Sequence, residues 1–186
     1  GQIVDLETLA CHKGSVLGVL PDQPQPAQKG FESALMQVLA GLDPARPVYV
    51  EAESRKIGHL HLPDDILNAL RQGECLEINA TLPARVDFLL GDYDYFLRDP
   101  AFLLTSLERL RPFVARERLE HWRARVAAAE WPALVSELLA EHYDPLYRRS
   151  QQSHFPTLDK AGKFTADDLS STGISRLAAE ILASDS

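Results

Sequence analysis

The segment from Pro47 to Gly58, PVYVEAESRKIG, narrows the fold more than any other part of the chain. Val48, Tyr49 and Val50 form a short apolar run behind a proline, the pattern of a buried strand in a parallel sheet. The run stops at Glu51 and Glu53, and Ser54, Arg55, Lys56 and Gly58 follow at once. In open α/β sheets, ligands lie just beyond the carboxyl ends of the strands, so a hydroxyl, two acids and two cations there suit a phosphate, a metal or both. A strand followed by a solvated turn would carry similar residues.

The surrounding pattern extends the α/β reading. Ile3–Leu6 reads as a first strand and Glu7–Cys11 as a short helix or turn. Pro21, Pro24 and Pro26 make 14–28 a long loop. Phe31, Leu35, Val38, Leu39 and Leu42 recur at helical spacing. A helix opens after Pro63 with Asp64 and Asp65 in its first turn and stops at Gly73; Cys75–Asn79 reads as a third strand. The expected fold is therefore α/β, a parallel sheet with crossover helices, followed by a large helical subdomain. The expected division is 1–97, 98–150 and 151–186, the last part holding an edge strand and a final helix that returns to the sheet.

With 186 residues, 45% of them apolar and 25% charged, the chain has the size and composition of an ordinary globular protein. No apolar run approaches the roughly 20 residues that span a bilayer. Two cysteines, Cys11 and Cys75, imply no disulfide framework and suit a reducing, cytoplasmic setting. A net charge of −8 argues against indiscriminate nucleic-acid binding, although a local basic face is compatible with it. The strand pattern starting at residue 2 suggests that part of the domain precedes this chain.

Further groups carry candidate chemistry. His12, Lys13, Gly14 and Ser15 combine a cation, a glycine and a hydroxyl in the manner of a phosphate-wrapping turn. Gln28 and Lys29 open a helix, whose N-terminus attracts anions. His59 and His61 would face one way on a strand, but no further ligand follows at zinc spacing, and no metal site is expected. Arg109, Arg116 and Arg123 repeat every seven residues, as do Arg111, Arg118 and Arg125, giving two stripes on a helix. Between Arg98 and Arg125, seven arginines face Asp99, Glu108, Glu117 and Glu120, a local excess of +3 suited to a phosphate backbone. Tyr143 and Tyr147, four residues apart, could stack on each other or present a ring to a base or an apolar chain. Internally paired helix charges and buried tyrosines are the structural alternatives. No G-x-x-x-x-G-K-[ST] loop occurs in the chain.

Taken in order, DLETLACHKGS, QPAQKGFE, VYVEAESRKIGHLHLP and EHYDPLY closely resemble the C-terminal domain of the bacterial tRNA 2-selenouridine synthase family, from Asp5 to about Tyr147. The resemblance implies a P-loop-type domain behind a rhodanese-like domain with an essential cysteine, both that cysteine and the glycine-rich phosphate loop lying upstream. It implies a transferase that converts 2-thiouridine at the tRNA wobble position to 2-selenouridine through a geranylated intermediate. Selenophosphate and geranyl diphosphate are then substrates, tRNA a partner, and magnesium an admissible auxiliary ion. The motif positions are His12, Lys13, Gly14 and Ser15; Gln28, Lys29, Phe31 and Glu32; Glu51, Glu53, Ser54, Arg55, Ile57 and Gly58; and Tyr143, Asp144, Pro145 and Tyr147. Lys13 stands where the family more often carries arginine, losing the bidentate fork. Ala52 stands where an acid is frequent, which directs attention to Glu51 and Glu53. His12, Lys13, Gly14, Ser15, Gln28, Lys29, Glu51, Glu53, Ser54, Arg55 and Lys56 are the phosphate or diphosphate candidates. Arg109, Arg116, Arg118, Arg123 and Arg125 are the tRNA candidates, and Tyr143 and Tyr147 the base or isoprenoid candidates. A P-loop small-molecule kinase with an arginine-rich lid, or a helical interaction module, would use the same features differently.

Overall fold

The computed structural model describes residues 1–184 and divides into two compact units, 1–73 and 74–186. The boundary between these units lies at 73/74.

In the first unit, β1 (Gln2–Val4) pairs in parallel with β2 (Val48–Val50). Between them lie α1 (Leu6–Ala10), the proline-rich loop and α2 (Gln28–Ala40). β3 (Lys56–Ile57) and β4 (Leu60–His61) make a tight antiparallel pair, and α3 (Asp64–Gln72) closes the unit. Helical spacing puts Phe31 and Leu35 of α2 on one face, where they join Val4, Leu6, Ile57, Leu60 and Leu67 in the core. Each such large apolar side chain contributes about 1.5–3 kcal/mol by leaving water. β2 is less buried than its apolar run predicts: Val48 is exposed, and Tyr49 and Val50 are half-buried. A sheet of two strands cannot enclose both faces of either.

The second unit begins with β5 (Leu76–Ala80), which pairs in parallel with β6 (Gly162–Ala166). The expected single parallel sheet is thus three separate two-stranded pairs. The third strand finds its partner some eighty residues later, a pairing that local sequence cannot announce. Between β5 and β6 run α4 (Leu82–Asp92), α5 (Asp94–Arg98), α6 (Pro100–Leu107), α7 (Arg116–Ala127), α8 (Trp131–Leu138) and α9 (Asp144–His154). Trp122, Leu107, Leu110 and Leu134 are fully buried there. Leu139–Tyr143 forms a π-helical turn between α8 and α9. α10 (Ser171–Ser184) sets Leu177 against Phe164 and Ala166. Among the described residues, no helix is long and apolar enough to cross a membrane.

Candidate functional site

The two parallel strands end alike. β1 runs into Asp5-Leu6-Glu7 and β2 into Glu51-Ala52-Glu53. The register pairs Val4 with Val50, and the same offset carries Asp5 to Glu51 and Glu7 to Glu53. Glu51 accepts hydrogen bonds from the Leu6 and Glu7 backbone N–H groups, at 3.1 and 3.3 Å. These are orphan donors at the start of α1, so Glu51 ties the end of one strand to the helix that follows the other. Asp5 caps the same helix through Thr8 N–H at 2.7 Å.

Glu7 and Glu53 meet over Gly14. A Cβ at Gly14 would lie 2.5 Å from Glu7 Oε1 and 2.6 Å from Glu53 Oε1, and the residue holds φ at +62°. A side chain there would push the ends of both carboxyls aside and hold the left-handed region that glycine adopts without strain. Burial, reinforced by the charges of Glu53, Glu51 and Asp5 and opposed by Lys13, pushes the Glu7 carboxyl from 4.5 to about 7. Burial also raises Glu53; the Ser54 N–H lowers it in part, Glu51 raises it, and a hydrogen bond with Glu7 lowers it. Both carboxyls are thus held above the usual carboxylate range, and the charge of each disfavours ionisation of the other. Glu7 was outside the sequence candidates. The repeated acid-x-acid after each strand was the available signal, but only the parallel register makes it meaningful.

His12 is buried, and its backbone bridges Val19. Lys13, Ser15 and Gly18 close a tight turn through Lys13 N–H to Gly18 O at 2.8 Å and Ser15 N–H to Lys13 O at 2.6 Å. His12, Lys13, Gly14, Glu51 and Glu53 thus converge with Glu7. The remaining first-unit candidates have other employment. Gln28 brackets the His61 backbone, donating to its carbonyl at 2.8 Å and accepting from its N–H at 2.9 Å, and also donates to Glu32. Gln25 does the same kind of work for Ile57 and His59, lying over Gly58, whose φ is +59°. Lys29 is exposed at the start of α2. Ser54 closes a turn on Lys56 O at 2.7 Å. Arg55 pairs with Asp64 at 2.7 Å, both largely exposed, and Lys56 is exposed. Among the described residues, no group of three or more His, Cys, Asp or Glu side chains is arranged to hold a metal ion.

The arginine stripes do not survive as drawn. Pro112 lacks an N–H, and the chain turns before α7 starts at Arg116. Arg109 and Arg111 therefore fall in a 3₁₀ turn and the connection behind it. The four arginines on α7 face acids: Arg116 with Glu120, Arg118 with Glu141 at 3.2 Å, Arg123 with Glu108 and Glu120, and Arg125 with Glu130 and Glu137. Glu130, Glu137 and Glu141 lie beyond the window that showed a local positive excess. Tyr143 and Tyr147 stack with centroids 6.2 Å apart. Asp144 forms a two-pronged pair with Arg85 at 3.0 and 2.5 Å, joining α9 to α4.

Comparison with known proteins decides among the readings. The model of the tRNA 2-selenouridine synthase AAA domain family matches residues 1–102. The chain belongs to this family. It is 32% identical to a tRNA 2-selenouridine synthase of Alcanivorax borkumensis over 77% of its own length and 47% of that protein. It is 39% identical to one of Nitrosomonas europaea over 49% of its length and 24% of that protein. It is 27% identical to one of Bdellovibrio bacteriovorus over 89% of its length and 54% of that protein. The chain thus spans about half or less of the length of these relatives. No solved structure matches it.

Proposed function

We propose that this chain is part of an enzyme that converts 2-thiouridine at the tRNA wobble position to 2-selenouridine. The transferase would act through a geranylated intermediate, with selenophosphate and geranyl diphosphate as substrates of the longer polypeptide. The observation that carries the local role is the convergence of the Lys13–Ser15 turn with Glu7, Glu51 and Glu53 at the carboxyl ends of β1 and β2. A P-loop-type domain binds its ligand at that position. The Gly14 turn would form one wall of the diphosphate site and Lys13 would face phosphate. The raised pKa of Glu7 would lower the negative charge that an incoming anion meets. The glycine-rich loop and the rhodanese cysteine would come from the rest of the polypeptide, with magnesium, if used, held jointly with the phosphates.

The test is nucleoside analysis of tRNA from cells that make the full-length protein or its Lys13→Ala and Glu53→Gln variants. The expected result is 2-selenouridine with the parent and loss of at least tenfold with Lys13→Ala. Absence of 2-selenouridine with the parent protein, under selenium supply, would overturn the reading.

A further inference from the structure

The second unit holds a cleft of about 250 Å³ between the 111–115 connection, the first turns of α7, the π-helical turn and α9. Phe113 and Leu146 line it and are 66% and 44% exposed, large apolar groups that the core leaves outside. His142 lines it too and is only 5% exposed. Its ring sits edge-on to Trp122 at 6.3 Å and to Tyr143 at 4.9 Å. Its ring nitrogens are left out of the hydrogen bonds among the described residues and open on the cleft rather than on the core. Burial, and then the Arg118 charge, hold the imidazole below its usual pKa, so it stays neutral with one donor and one acceptor.

Charge is distributed unevenly around this cleft. Arg118 is held by Glu141, whereas exposed Arg149 forms no ion pair among the described residues. Ala115 also lines it and caps α7 without a side-chain hydrogen bond, so the positive end of a twelve-residue helix opens there. The π-helical turn moves His142 off the α-helical path, and such turns are frequent at functional sites.

We infer that this cleft receives one unstacked nucleotide of single-stranded RNA, its base against Phe113 and Leu146, its edge on His142 and its phosphate at Arg149. The volume lies below that of a drug-sized pocket and suits a group the size of one base. A purely apolar ligand would leave His142 and Arg149 without partners, and a free inorganic anion would leave Phe113 and Leu146 bare. RNA recognition of unpaired bases combines an aromatic face, an edge contact and a phosphate cation in this way. The inference rests on the RNA-modifying reading. It moves the RNA contact from the arginines of α7, engaged with glutamates, to Phe113, His142 and Arg149, outside the sequence candidates.

The test uses the 186-residue chain, hexauridylate and a duplex RNA of equal charge, with affinities measured across a salt series. Phe113→Ala, a change at an exposed position that the fold tolerates, should weaken hexauridylate about tenfold and leave the duplex unchanged. Arg149→Gln should lower the logarithmic salt slope for hexauridylate by about 0.7. No hexauridylate binding, parent-like affinity in both variants, or binding of geranyl diphosphate in place of RNA would overturn the inference. If the full-length protein makes 2-selenouridine and both variants bind tRNA like the parent, the cleft fails while the proposed function stands. If it makes none, the functional reading fails independently of hexauridylate binding.

Discussion

Carboxyl groups crowd together at the strand ends of the first unit, whereas in the second unit the guanidinium groups of α7 each face a carboxylate. The physical consequences are opposite. Glu7 and Glu53 resist ionising together, so their arrangement is relieved by a proton or an outside cation. Glu137 is the reverse: burial alone would raise its pKa, but hydrogen bonds from Arg125 and His121 hold it below the usual carboxylate value. Crowded like charges point to a place that awaits a partner, and paired opposite charges point to scaffold. Within the second unit the cleft sets a buried histidine near Arg149, which forms no ion pair among the described residues.

The sharpest way to break this contrast is at Asp144, which ties α9 to α4 through Arg85 and also stands in a family motif. Asp144→Asn should remove the charge-assisted pair with Arg85 and cost about 1.5–3 kcal/mol, read from the denaturant midpoint. An unchanged midpoint would show that the pair is not what holds the two helices together. Gly14→Ala should cost about 1–2 kcal/mol for the left-handed conformation, and it should displace the far ends of Glu7 and Glu53. Amide exchange confined to α1 and the 12–18 turn would locate that effect.

The contrast also makes opposite pH dependences. Glu7 ionises near 4.5 when unfolded and near 7 when folded. The folded state binds more protons across that window, so the first unit should lose stability as pH rises from about 4.5 to 7. His142 and Glu137, with lowered folded pKa values, should make the second unit lose stability as pH falls: the histidine below its ordinary 6.5 and the carboxylate below its ordinary 4.5. Glu7→Gln should flatten the first profile and leave the second untouched, as followed by amide exchange at pH 5 and 8. Loss of both profiles together would mean that one event governs the two units. The smallest effect belongs to Arg116→Ala: its pair with Glu120 is 4.0 Å long and the arginine is 86% exposed, so stability should move by less than about 0.5 kcal/mol.

Much of the local structure was legible. The apolar spacing of Phe31 and Leu35 placed α2 on the core. The motif order was enough to find the family, which the match over residues 1–102 bears out. The candidate site was legible in part: His12, Lys13, Gly14, Glu51 and Glu53 do converge, while Gln28 proved to be a backbone bracket for His61. The arginines of α7 draw partners from outside their own stretch. Arg98–Arg125 carries a local positive excess, but Glu130, Glu137 and Glu141 reach Arg118 and Arg125 from later turns.

By itself the sequence determined the core-facing side of α2, the expectation of a parallel pairing of β1 with β2, the proline-rich loop and the family, because these depend on local spacing or on the order of short motifs. Only the tertiary structure decided that β5 belongs with β6, that Glu7 meets Glu53 over Gly14, and that His142 faces a cleft beside Phe113 and Arg149. Each of these joins residues far apart in the chain. Their partners, and therefore their charge and chemistry, exist only once the backbone has closed those distances.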